Sequence, residues 1–341
     1  MLSPKDSPLG KQLGRYVCVR ITRMDDVDVG LFDRDWNNTI YFFAMNADEQ
    51  IYFRYGGRDS ASPDTYLNVD SLELALRQGA EMHERGVKLP PRPKALYPRE
   101  IPLLVQRTFA QRQCVECHLI GDFQNLQREQ DGVLDKLTHL YRSPDIKTLG
   151  IELDVPKGLV VKQASGAAAA AGMQAGDKIV AWNGAPVLTF GDLQYQYDKV
   201  DRKSTKVTAQ VERGASLEIA LPERWWWTDL RLRQSSVDPR LDFEDRPLSA
   251  DEKKKFGLPA DGFASMVKYV SDFAKIRKTH ELRTGDIIYA VDKVERDDLA
   301  NTAELFLKLR KKAGQAAALS VIRDGKRIEM PLQSYQLSFR K

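Results

Sequence analysis

Gly172-Met-Gln-Ala-Gly-Asp-Lys-Ile-Val-Ala-Trp-Asn-Gly184 is the stretch whose reading decides the fold. Paired glycines mark a tight turn, the apolar run Ile179 to Trp182 reads as a short strand, and Asn183-Gly184 marks a second turn. Farther on, Arg283-Thr-Gly-Asp-Ile-Ile-Tyr-Ala-Val-Asp-Lys293 repeats the order, with the Gly-Asp pair of 176–177 returning at 285–286. That spacing is too long for a solenoid, so the chain carries two tandem copies of one module. Around the first copy the pattern predicts strands over 149–155 and 158–163, a helix over 190–200, and strands over 206–212 and 217–221. Around the second it predicts a strand over 262–270, a helix over 301–312, and strands over 317–323 and 326–332.

Upstream, Tyr16 to Thr22 is rich in β-branched residues and reads as a strand, and 39–44 with 51–55 reads as a hairpin. A helix over 72–85 follows, capped by Asn68 or Asp70. Residues 89–102 hold five prolines and read as an extended linker. Helical stretches over 101–113 and 126–141 come next. The organisation expected is four segments, 1–88, 89–147, 148–222 and 223–341, of α+β multidomain class.

Composition narrows the function. With 341 residues, 42% hydrophobic and 29% charged, the chain has the make-up of a folded globular protein. Net charge is only +4, and the runs Lys253 to Lys255 and Arg310 to Lys312 read as solvated helix faces, so no nucleic-acid partner is expected. No window approaches the length of a bilayer span, which argues against an integral membrane protein. The start, Met1 to Gly10, lacks an apolar signal core; the protein is cytosolic, or this sequence lacks an export signal. No GxGxxG or GxxxxGK[ST] loop and no Ser, His and Asp set stands in a recognisable context, so neither nucleotide chemistry nor proteolysis is expected.

Cys114-Val-Glu-Cys-His118 carries the chemistry. Its CxxCH spacing lets two thiols add to the vinyl groups of haem c while His118 ligates the iron. A redox disulfide between Cys114 and Cys117, or a metal clip using both thiolates and His118, is the alternative. Phe109, Leu119, Ile120, Phe123 and Leu126 flank the motif and can wall a macrocycle. His139 is the first candidate for sixth ligand, ahead of Met173, Met82, Met45 and His83. Cys18 reads as a buried thiol between valines. Trp225 to Trp227 read as part of a strand running to Arg233, with packing between layers as their plainest role.

The repeated segment, with Ser165-Gly-Ala-Ala-Ala-Ala-Ala171 before it, resembles the circularly permuted PDZ domains of bacterial secreted and periplasmic proteases. The resemblance implies a peptide groove lined by Leu149, Gly150, Ile151 and Glu152, with Leu193 and Tyr197 on the helix, taking protein or peptide C-termini by strand addition. The groove's other possible occupant is the chain itself. A bulky residue at Gly150 is expected to obstruct a peptide without unfolding the module. In the second copy Gly257-Leu258-Pro259-Ala260 departs from the loop pattern. Arg54-Tyr-Gly-Gly-Arg-Asp59 and its surroundings resemble the later half of a thioredoxin-like domain, and the whole chain resembles a bacterial thioredoxin-like/PDZ (seleno)protein family. The thiol expected at the start of such a domain's first helix has no counterpart here, which leaves dithiol oxidoreductase activity unsupported. These readings converge on a periplasmic or otherwise extracytoplasmic c-type haem protein for electron transfer or redox sensing, docked to a redox partner by its PDZ units. The other class is a non-enzymatic docking protein whose CxxCH is a disulfide or metal clip.

Overall fold

The computed structural model describes residues 3–38, 40–111, 113–228, 230 and 238–336. The chain is α+β, with its strands gathered in four sheets among the described residues. It divides into two compact units, Met1–Gln127 with Asp135–Gln234, and Arg128–Leu134 with Ser235–Lys341. Most of the chain upstream of 222 falls in the first unit, which runs on to Gln234, while Arg128–Leu134 groups with the second.

In the first unit, α1 (Pro8–Leu13) is followed by the antiparallel hairpin β1 (Phe42–Met45) and β2 (Ile51–Tyr55). Helix α2 (Val69–Glu84) begins where the Asn68 side chain accepts from the backbone N–H of Asp70 and Ser71. It lays Leu72, Ala75 and Leu76 on Phe53, Tyr55 and Leu9 as one small core. The strand expected over 16–22 is absent: the stretch has no ladder partner among the described residues, and Val17 and Val19 are exposed. Cys18 is therefore exposed rather than buried.

The proline-rich stretch is extended as expected but tied down, since Leu96 O accepts from Val29 N–H (2.8 Å) and Asp28 Oδ1 accepts from Leu96 N–H (2.9 Å). Helix α3 (Pro102–Arg107) is shorter than read. Helix α4 (Cys117–Gln130) ends before a turn at Gly132, whose φ is 73°. Helix α5 (Lys136–Leu140) restarts on an Asp135 cap, so the single helix read over 126–141 is two.

The first module follows: β3 (Ile151–Leu153), β4 (Val161–Ala164), α6 (Gly166–Ala170), β5 (Ile179–Trp182), β6 (Ala185–Pro186), α7 (Phe190–Asp198), β7 (Lys206–Val211) and β8 (Ser216–Ala220). Strands β3 and β4 pair, and the other sheet runs β6-β5-β7-β8. Trp225 to Trp227 sit in a turn rather than a strand, with Trp225 and Trp226 buried; 229 and 231–233 of that expected strand lie outside the described residues.

The second unit holds β9 (Phe243–Pro247), α8 (Ala250–Lys255), β10 (Ser265–Val270), α9 (Phe273–Arg277), β11 (Ile287–Val291), α10 (Ala303–Arg310), β12 (Ala316–Arg323) and β13 (Lys326–Gln333). Its sheet runs β13-β12-β11-β10-β9 and is antiparallel throughout. Lys253 is buried rather than solvated: its Nζ donates to the carbonyls of Ala260 (3.0 Å) and Gly262.

The repeated sequence signature reflects repeated hydrogen bonds. Asp177 accepts from Gln174 N–H (2.9 Å) and pairs with Arg213 (2.7 Å). Asp286 accepts from Arg283 N–H (2.8 Å) and pairs with Arg323 (2.6 Å). Asn183 and Asp292 both adopt positive φ, and their side chains accept from Thr208 N–H and Ala318 N–H, each at 2.8 Å. Each copy thus staples its turn to the following strand by a short polar side chain suited to the left-handed region. Among the described residues no helix is long and apolar enough to cross a membrane.

Candidate functional site

Cys114 lies in the segment leading into α4, and Cys117 is the first residue of that helix. Buried Asp25 fixes the segment, accepting from Val115 N–H (3.2 Å) and from Arg23 Nε (2.9 Å). Val115 thereby points inward, while Cys114 is exposed and Cys117 half-buried, both as free thiols. The Asp25 hydrogen bond, with a smaller contribution from Cys114, raises the pKa of Arg23, which places a fixed cation beside the first thiol. The His118 side chain is 52% exposed, with Nε2 3.5 Å from the Glu116 carboxylate.

Ile120, Phe123 and Leu126 are buried, and Gly121 abuts Trp36, where a Cβ would come within 3.0 Å of the indole. This face of α4 is core, not an open lining. His139 Nδ1 accepts from Asp135 N–H (3.1 Å), and its carbonyl accepts from the Asn125 amide (3.3 Å). Met173 is buried, and His83 is engaged by the Tyr52 hydroxyl (2.6 Å). No three His, Cys, Asp or Glu side chains converge as metal ligands among the described residues.

The residues expected to line a groove in the first module are largely covered. Leu149, Ile151, Leu193 and Tyr197 are all buried. Trp225 stacks on Tyr197 with ring centroids 4.8 Å apart, and its carbonyl accepts from the Thr148 hydroxyl (3.4 Å). That ring fills the helix side of the site. Gly150 has φ +83°, and its carbonyl accepts from Ser165 N–H (2.8 Å). A Cβ there would lie 2.1 Å from Ser165 O, so Gly150 closes the strand pair and any larger residue disrupts the module itself. This corrects the expectation of a harmless obstruction. Glu152 is spent on an exposed pair with Lys162 (2.8 Å).

The remaining occupant is Arg54-Tyr-Gly-Gly-Arg-Asp59, delivered by β2 onto α7. Asp192 Oδ1 accepts from Arg54 N–H (2.9 Å), and the Thr189 hydroxyl donates to Arg54 O. Gln194 takes both backbone groups of Arg58, accepting from its N–H (3.1 Å) and donating to its carbonyl (2.8 Å). Gly57 is required, since at φ +114° a Cβ would come 2.5 Å from the Phe190 ring. Asp59 pairs with Lys147 (2.7 Å), Asp145 accepts from Ser60 N–H (3.0 Å), and Tyr66 stacks on Phe190. Burial pushes the Asp59 carboxyl up, but Lys147 and the Ser62 and Ala61 N–H groups outweigh it and leave the pKa lowered. Burial pushes Asp192 up to about 6 against the pull of the Arg54 N–H and guanidinium. Asp59, Asp192 and Gln194 carry no motif in the sequence; their only trace is two buried polar residues among the apolar ones of α7.

No family model and no curated protein matches the chain. Among solved structures it is similar to HtrA-type protease AlgW with decapeptide, at 17% identity and TM-score 0.23, over 39% of this chain and 42% of that one. HtrA-type protease AlgW with tripeptide is similar at 18% identity and TM-score 0.24, over 38% and 42%. The chain spans less than half the length of these structures.

Proposed function

We propose that this chain is an extracytoplasmic redox protein whose Cys114, Cys117 and His118 hold a covalent c-type haem, carried on a frame of PDZ-like modules that docks a partner. The carrying observation is the presentation of the motif: two free thiols three residues apart and an accessible imidazole stand on the outside of the unit, fixed from within by Val115 and Asp25. That donor set fits the group, which when bound supplies one-electron transfer. Asp25 holds the Val115 N–H between the two cysteines, and the buried face of α4 keeps the attachment turn rigid. Peptide docking falls to the second unit, where among the described residues no strand lies on the outer edge of β9. The first module's groove is taken by its own chain.

A dithiol couple is the second reading, favoured by the position of Cys117 at the head of a 14-residue helix with Cys114 just before it. One experiment separates them. The chain exported in a host with haem-attachment machinery is expected to show a Soret band that survives denaturation and is lost in Cys114→Ala/Cys117→Ala. Haem-free protein whose two thiols oxidise reversibly to a disulfide overturns the haem reading in favour of the couple.

A further inference from the structure

The turn joining β10 to β11 exposes a set of side chains that the redox reading does not use. Tyr269 is 54% exposed, Phe273 54% and Ile276 73%, three large apolar residues within eight positions. Phe273 and Ile276 are three apart on α9, whose inward side is carried by buried Ala274, so both project from its outer surface. Arg277 lies between the rings of Phe273 (4.6 Å) and Tyr335 (4.5 Å) and pairs with Asp242 (3.0 Å). The Tyr335 hydroxyl donates to the same carboxylate (2.6 Å), so the shelf under Phe273 is braced. Around it Lys268, Lys275 and Lys278 are exposed, and none pairs with a carboxylate among the described residues; Asp272 is the one acidic residue in the stretch.

We infer that this turn is an interfacial contact for an anionic lipid surface, with Phe273 and Ile276 entering the headgroup boundary and the lysines meeting lipid phosphates. Apolar side chains that project from a braced, convex shelf suit a deformable layer better than a protein pocket, which needs concave walls to receive them. The excess of unpaired lysines selects a negative surface. The contact is independent of the haem reading and makes the chain peripheral to a membrane without spanning it.

The test is sedimentation of the full chain with phosphatidylcholine vesicles and with vesicles that also contain phosphatidylglycerol. Binding is expected only to the second kind, weakening as salt is raised. Phe273→Ser/Ile276→Ser and Lys275→Glu/Lys278→Glu should each lower the vesicle partition roughly ten-fold or more, with melting unchanged because the altered side chains are exposed. Equal binding to both vesicle types, no binding to either, or loss of binding in neither variant overturns the inference. Self-association or capture of an acidic peptide through the same residues, without vesicle binding, assigns the patch to a protein partner and overturns it as well.

Discussion

Replacing Asp192 by Asn tests how the β2 hairpin is held on α7. The wild-type carboxyl accepts from Arg54 N–H (2.9 Å), Leu188 N–H (3.3 Å) and Thr189 N–H (3.2 Å). Asn retains one acceptor oxygen but turns an NH2 group toward donors, which costs on the order of 1–3 kcal/mol in unmet hydrogen bonds. The wild type carries an opposing penalty of its own. Burial raises its pKa from 3.8 to about 6. Between those values the folded state holds a proton that the unfolded chain has released, so stability falls as pH rises through the window and is level above it. Two units at about 1.4 kcal/mol each give a loss of about 3 kcal/mol, and Asn at this position has no such slope. The variant is therefore expected to be less stable than wild type near pH ~4 and to draw level with it or overtake it near pH ~7.5. Urea unfolding followed by tryptophan fluorescence reads the relevant part alone, since Trp36, Trp182, Trp225, Trp226 and Trp227 all lie in the first unit. Asp245, also pushed up to about 6 by burial and the nearby Glu304, lies in the second unit and is silent in this signal. A deficit of the Asn variant that widens as pH rises would refute the reasoning, because it would mean that Arg54 and the three N–H groups favour the carboxylate more than burial disfavours it.

Two further outcomes follow from the same packing. Gly150→Ala should destabilise the first unit by roughly 2–4 kcal/mol, as a lowered urea midpoint, because its Cβ meets a backbone carbonyl and its φ is unfavourable for any other residue. Gln194→Ala leaves the buried N–H and C=O of Arg58 without their partner, at about 2–4 kcal/mol for the two; hydrogen exchange should show the Arg58 amide losing protection while β7 and β8 keep theirs.

The elements of the two modules were legible because their signals are local. Strands at 206–212 and 326–332 were readable from alternation and turn residues, and β7 (Lys206–Val211) and β13 (Lys326–Gln333) fall within a residue of them. Asn68 was readable as a cap for the same reason. Elements that depend on a distant partner were not legible. The stretch 16–22 has strand composition, but a strand exists only against another, and none pairs with it among the described residues. In the CxxCH motif the spacing was visible, whereas the use of Ile120, Phe123 and Leu126 as core depends on what the rest of the unit packs against α4.

The filling of the first groove did leave a trace, and the repeat makes it readable. Thr189 and Thr302 cap α7 and α10 by the same bond, each accepting from the N–H three residues on, which aligns the two helices residue for residue. Asp192 and Gln194 then stand opposite Leu305 and Leu307, both buried. Helix positions that are leucine in one copy and carboxylate and amide in the other cannot bury the same neighbours. The apolar pair suits the module's own sheet, whereas the polar pair is stable inside only if backbone donors and acceptors are brought to it. The segment that brings them must reach α7 with bare peptide groups and little side-chain bulk, and Gly56-Gly57 in Arg54-Tyr-Gly-Gly-Arg-Asp59 meets that need. Two copies that share their turns thus differ at these helix positions, and in the first they hold the backbone of its own chain through Asp192 and Gln194.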